Sequence, residues 1–210
     1  MLLEGVGLCA SDGGVGSMGV KREDWLVRIN GDKFRRAAAE AGLDVSALAA
    51  ALPGAGESEK KRAAAEKKVR NWMRGSSHPN PRVAEMNALA QAMGVPAGRF
   101  CVWTSQYRWS RSSERKSRLV VDEIRGLGVE EASTILPFSP RRAATMVNKA
   151  LQAAISDAEA LDADLNRLVV SEARADEGAI IKRFRPKDRG RAHPIQKRTS
   201  HIVVSVEEAD

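Results

Sequence analysis

Residues 182 to 198 restrict what this chain can become more than any other stretch. They carry eight cations, Lys182, Arg183, Arg185, Lys187, Arg189, Arg191, Lys197 and Arg198, against the single acid Asp188. The cations fall at odd and even positions alike, so a strand drawn through them has no apolar face and no core can absorb it. Only Phe184, Pro186, Ala192, Pro194 and Ile195 interrupt the polarity. Alternation returns on both sides, with Leu168 and Val170 before the stretch and Ile202, Val204 and Val206 after it. The segment is therefore expected to be the projecting part of a β-hairpin, about 180–202, whose arms close into a sheet. A disordered basic tail is the bland alternative, and the return of good strand sequence at 202–206 argues against it. At roughly 3.3 Å per residue, arms of about ten residues would reach on the order of 30 Å. Such a ribbon is marginal alone in water, and this one repels itself. It calls for an anionic surround, which RNA supplies better than a small ligand does.

The net charge of that stretch, +7, equals the net charge of the whole 210-residue chain. A second basic cluster runs from Glu57 to Arg74, where Lys60, Lys61, Arg62, Lys67, Lys68, Arg70 and Arg74 face Glu57, Glu59 and Glu66, a surplus of four. The remaining residues sum to −4, so two basic patches sit on a mildly acidic body. A hydrophobic fraction of 43% beside 29% charged residues suits a soluble globular chain. No run of about 18 apolar residues is present, so no spanning helix is expected, and no membrane partner is implied. Cys9 and Cys101 are too few for a disulfide framework and fit a reducing cytoplasm. The opening MLLEGVGLCASDGG lacks the basic start of an export signal, and Leu8 is too bulky for a lipoprotein site at Cys9. Residues 1–30 are expected to be a flexible N-terminal segment, with translation beginning at Met1 or Met18.

The remainder divides into two modules. Residues 31–100 are alanine-rich with helical spacing: Phe34, Ala37, Ala38 and Ala41, then Leu48, Ala51 and Leu52, then Met86, Leu89, Ala90 and Met93. Gly42, the run PGAGES and the run GSSHPNP punctuate them. Residues 101–110 are expected to be a linker. In residues 111–210, Ser112 or Ser113 is placed to cap a helix with Leu119, Val120 and Ile124 on one side. Ser139-Pro140 reads as the start of a longer helix that buries Ala143, Val147, Ala150, Leu151, Ala154 and Ala158 and leaves Arg141, Arg142 and Lys149 outside. Strands are expected at about 168–175, 179–185 and 196–206, with Asp176-Glu177-Gly178 as a turn. The fold class is α+β: three helices on a small antiparallel sheet with a long protruding hairpin, preceded by an all-α domain.

Several stretches together resemble the bacterial large-subunit ribosomal protein L-twenty-two family. They are RSSERKSRLVVDEIRGLGVEEASTIL, RRAATMVNKALQAAISDAEA, the DEG turn and GRAHPIQKRTSHIVV, in family order over about residues 106–208. The resemblance implies a structural, rRNA-binding constituent of the large subunit that aids assembly and lines the polypeptide exit tunnel with its hairpin. Implied partners are large-subunit rRNA, neighbouring ribosomal proteins and the nascent polypeptide. Carried across by position, Arg111, Ser112, Lys116 and Arg118 match the family's RNA-facing helix. Lys182, Arg183, Arg185, Pro186, Gly190, Arg191, Lys197, Arg198, Thr199, Ser200 and His201 match its hairpin, and Asp188 departs from the pattern. Lys149, Lys187 and Arg189 complete the expected rRNA contacts on charge alone.

Residues 33–99 resemble the Cro/repressor type of helix-turn-helix, with Trp72, Gly75, Pro79, Pro81, Leu89 and Gly94 where that family places its signals. The stretch from Leu52 to Val69 is longer than that family uses, which either lengthens the recognition helix or adds a loop. Lys60, Lys61, Lys67, Lys68, Arg70 and Arg74 form a possible phosphate grip there, weighed against a plain solvated helix in which Glu57 and Lys61 pair. The alternative function is accordingly a DNA-binding transcriptional regulator. Catalysis is not expected: His78, His193 and His201 are isolated, no spacing suits a metal, and Ser200 and His201 point to opposite faces of a strand. No cofactor or small-molecule substrate is implied.

Overall fold

The computed structural model describes residues 26–55 and 58–209. The cysteine at position 9, the proposed start at Met18 and the Glu57–Lys61 pair fall outside them. Strand β1 (Leu26–Ile29) leads into helix α1 (Gly31–Glu40), followed by α2 (Val45–Ala51), α3 (Glu59–Met73) and α4 (Val83–Met93). Strand β2 (Cys101–Ser110) then opens the second half, with α5 (Glu114–Ile124), α6 (Val129–Phe138) and α7 (Arg142–Glu159). Strands β3 (Leu168–Glu177), β4 (Ile181–Pro186), β5 (Ala192–Lys197) and β6 (Ser200–Glu208) complete the chain.

The main sheet is antiparallel in the order β1-β2-β6-β3. Its core face carries Val27, Trp103, Val170, Val204 and Val206, all buried. Helices α5 and α7 lie over that face. In α7 the residues Ala143, Val147, Ala150, Leu151, Ala154 and Ala158 are buried together with Ala144. Their 3-and-4 spacing makes one apolar stripe, and the small alanines let the helix sit close to the sheet. Strands β4 and β5 form a separate two-stranded ribbon that extends away from this body.

Several expectations are corrected. Residues 101–110, read as a linker, are the ten-residue strand β2 in the interior of the sheet. The end of the supposed flexible segment is strand β1, which pairs with β2 from Leu26↔Thr104 to Ile29↔Cys101. The N-terminal half is therefore not purely helical, because it donates an edge strand to the sheet of the C-terminal half. Asp176 and Glu177 do not turn but continue β3, paired with His201 and Ser200. Helix α7 begins at Arg142 with Arg141 as its cap rather than at Ser139-Pro140. Ser113 occupies the cap position of α5, yet neither serine side chain makes a capping bond. Leu119 is 53% exposed, and Val121 takes its place in the core beside Val120 and Ile124. The hairpin arms hold six residues each, so they reach about 20 Å rather than 30 Å.

In the helical half, Asn30 caps α1 by accepting from the backbone N–H groups of Asp32 and Lys33 at 3.1 and 3.4 Å. Phe34, Leu48, Val69, Trp72, Met86 and Leu89 are fully buried. Trp72 Nε1 donates to the Pro79 carbonyl at 2.8 Å, and Asn71 Nδ2 to the His78 carbonyl at 3.1 Å, which ties the loop after α3 back onto it. Gly94 ends α4 in the left-handed conformation, φ 65°.

Candidate nucleic-acid interface

The ribbon starts from a tightly fixed base. Ser110, Ser117, Thr199 and Ser200 are all buried where β2, α5 and the hairpin meet. Ser117 Oγ lies 3.2 Å from Ser200 Oγ, and Ser110 Oγ is 2.6 Å from Met146 Sδ on α7. Thr199 Oγ1 donates to the Ala179 carbonyl at 2.7 Å, and Gly178 N–H donates to the Thr199 carbonyl at 2.9 Å. Gly178 has no room for a side chain: a Cβ there would lie 2.5 Å from Thr199 Oγ1. Two arms thus leave the sheet side by side with their polar groups satisfied at the root.

Beyond the root, every residue from Lys182 to Arg198 is exposed. The register runs from Ile181↔Lys197 to Pro186↔Ala192. Five residues form the tip, closed by Lys187 N–H donating to the Arg191 carbonyl at 2.7 Å. Arg189 and Gly190 both take left-handed backbone angles, φ 55° and 71°, which reverses the chain. Phe184, 76% exposed, stands opposite Pro194. Lys182, Arg183, Arg185, Lys187, Arg189, Arg191, Lys197 and Arg198 therefore project into solvent from a narrow rod. The charge has no counterpart on the ribbon except Asp188, and this concentrates a positive potential along it.

The expected contacts on the body divide. Arg111, Lys116 and Lys149 are exposed, while Ser112 is half-buried. Arg118 is exposed but its Nε donates to the Ala175 carbonyl at 3.3 Å, so it bridges α5 to β3. Ser200 faces inward on Ser117, whereas His201 faces out and accepts a hydrogen bond at Nδ1 from the Trp109 N–H at 3.2 Å. Ser200 therefore fixes the base of the hairpin from inside. Trp109, on the segment taken for a linker, was not picked out by sequence reasoning.

Along α3, Lys68 Nζ pairs with Glu85 at 2.9 Å and Arg70, itself exposed, with Glu66 at 3.2 Å. Lys60, Lys61, Arg62 and Lys67 on the helix and Arg74 at its cap are exposed as well. The long stretch after Leu52 is taken up by a helix, Glu59–Met73, of fifteen residues.

Comparison with known proteins bears on the second half. Residues 105–207 match the family model described as Ribosomal protein L22p/L17e. The chain is similar to the protein named large ribosomal subunit protein uL22 in Lactobacillus helveticus, Lactobacillus gasseri and Lactobacillus johnsonii. Each is 52% identical over 105 residues, half of this chain and 90% of the relative. The matched segment holds the three helices, the basic ribbon and the sheet apart from strand β1, the first four residues of β2 and the last of β6, and by that match the chain belongs to the ribosomal protein L22p/L17e family.

Proposed function

We propose that the chain is a structural constituent of the large ribosomal subunit, working in the cytoplasm, that holds large-subunit rRNA through its ribbon and the root beneath it. The observation that carries this is the ribbon itself, eight exposed cations on a rod with no core of its own. Phosphates neutralise such a rod and release their counterions, which drives binding. Arg111, Ser112, Lys116, Arg118 and Lys149 extend the contact onto the body. Lys182, Arg183, Arg185, Pro186, Lys187, Arg189, Gly190, Arg191, Lys197, Arg198, Thr199, Ser200 and His201 supply the ribbon and its root. The rod is narrow enough to line a passage, and its place in the ribosome is the wall of the polypeptide exit tunnel, beside the nascent chain. Neighbouring ribosomal proteins complete the partner set. Nothing in the assembly asks this chain for catalysis, and it is not an enzyme.

The first half acts as a helix-turn-helix-like module grafted onto the same sheet, with α3 as its recognition helix. Its exposed cations Lys60, Lys61, Lys67 and Arg74 grip phosphates at the ribosome surface. A DNA-binding regulator gains no support from the three relatives described above, each named as a ribosomal protein. The test is binding of the full chain to transcribed large-subunit rRNA over a range of salt. Replacing Arg185 and Arg191 by Gln should lower the slope of log affinity against log salt by about one to two and weaken binding to all sequences alike. An unchanged slope would remove the ribbon from the RNA contact.

A further inference from the structure

Trp109 is held in a conformation that neither the core nor the ribbon explains. It is 57% exposed with φ 61°, the left-handed region that bulky side chains avoid. The cause is a slip in register: Tyr107 pairs with Ile202 and Ser110 with Ser200, so Arg108 and Trp109 together oppose His201 alone. Without that extra residue, the alternation from Trp103 through Ser105 and Tyr107 would turn Trp109 into the core. The bulge instead turns Ser110 inward and Trp109 outward.

The displaced indole is braced. Its backbone N–H donates to His201 Nδ1 at 3.2 Å, which leaves the imidazole proton on Nε2. The two rings meet edge to face, with centroids 4.8 Å apart and planes at 74°. Arg108 and Arg111 flank Trp109 along the chain, and both are exposed. Across the pair Ser110↔Ser200 the chain continues through Thr199 to Arg198 and the ribbon. The acid opposite His201 is Asp176, whose carboxylate lies 3.4 Å from Arg174. An aromatic plane held rigid among cations, at the root of an anion-binding rod, suits a planar ligand attached to a phosphate chain.

We propose that Trp109, braced by His201, is a stacking platform for one unpaired base of the RNA that the ribbon binds. The inference rests on the rRNA reading above and adds a contact of a different kind. Stacking on an indole tolerates any base and needs no hydrogen-bond readout. The test uses the full chain and transcribed large-subunit rRNA, with W109G, W109A and W109F. Glycine is the informative change because it relieves the left-handed backbone while deleting the ring, so the fold is retained and a thermal melt verifies it. W109G and W109A should lose about tenfold in affinity with an unchanged salt slope, and W109F should recover most of the loss. Wild-type affinity in a folded W109G, or a reduced salt slope, would overturn the platform while leaving the RNA contact standing. Failure of the unaltered chain to bind the transcript would instead overturn the rRNA reading, and the platform with it.

Discussion

Ser117 and Ser200 face each other inside the protein, where each hydroxyl's partner is the other. A buried hydroxyl left alone costs about 1–3 kcal/mol, while removing both partners is far less damaging. Ser200→Ala should therefore destabilise by roughly that amount, and adding Ser117→Ala should recover part of it. A double-mutant cycle in urea measures the coupling, and strictly additive losses would contradict the contact. Cys101 makes a second residue-level case. Burial, assisted by the carboxylate of Glu208, pushes its thiol well above the usual range, so the folded protein holds it protonated. Its stabilising contribution is fully present below the pKa of an unfolded thiol, about 8.5. It fades as pH rises beyond that toward the folded value, because only the unfolded chain ionises there. The urea midpoint should fall more steeply above pH 8.5 in the parent than in Cys101→Ala, and parallel curves would rule this out.

At the scale of elements, α1 and the end of α3 approach each other backbone to backbone. A Cβ on Gly31 would lie 2.6 Å from Gly75 N and 2.9 Å from the Trp72 carbonyl, both backbone atoms that cannot swing aside. Gly31→Ala should cost about 1–3 kcal/mol by overpacking and lower the melting temperature, whereas Gly42→Ala, which meets nothing within 4 Å, pays only for its left-handed backbone. Equal melting temperatures for the parent and Gly31→Ala would show that the two helices can separate. The ribbon is the opposite case. Because all of it beyond the root is exposed, deleting residues 183–195 should leave the thermal melt within a few degrees while abolishing most of the RNA affinity. A large drop in stability would mean that the ribbon supports the body.

What was legible in the sequence follows from how strong each pattern is. The buried face of α7 was readable because eighteen residues repeat one stripe. The ribbon was readable because its charge has only one place to go. Strand β2 was not, since polar Ser105 and Gln106 dilute its alternation and one partner, β1, lies some seventy residues earlier. Trp109 was hidden by the same rule that exposes strands, for a single bulge reverses the face of every residue beyond it. The start of α7 was misplaced because Ser139-Pro140 carries a start signal that the chain does not use, entering the helix two residues later.

Over the whole molecule, the helical half is fastened to the ribosomal half rather than tethered beside it. Beyond the β1–β2 pairing, Asn30 Nδ2 donates to Glu207 at 3.2 Å and Lys33 Nζ donates to the Glu208 carbonyl at 2.5 Å. Glu208 in turn accepts from the Asp164 N–H at 3.1 Å, and its carboxylate packs directly on Gly98, so that a Cβ there would require it to shift. The C-terminal strand thus clamps both halves, and a ribosome carrying this protein should show the helical half at a fixed position. The central claim is that the chain lives in the large subunit, and its most direct test is sedimentation of a cell extract at low magnesium, which separates the subunits. Nearly all of the protein should travel with the large subunit and remain there through a moderate-salt wash. A predominantly free pool, or one that follows DNA, would contradict the account.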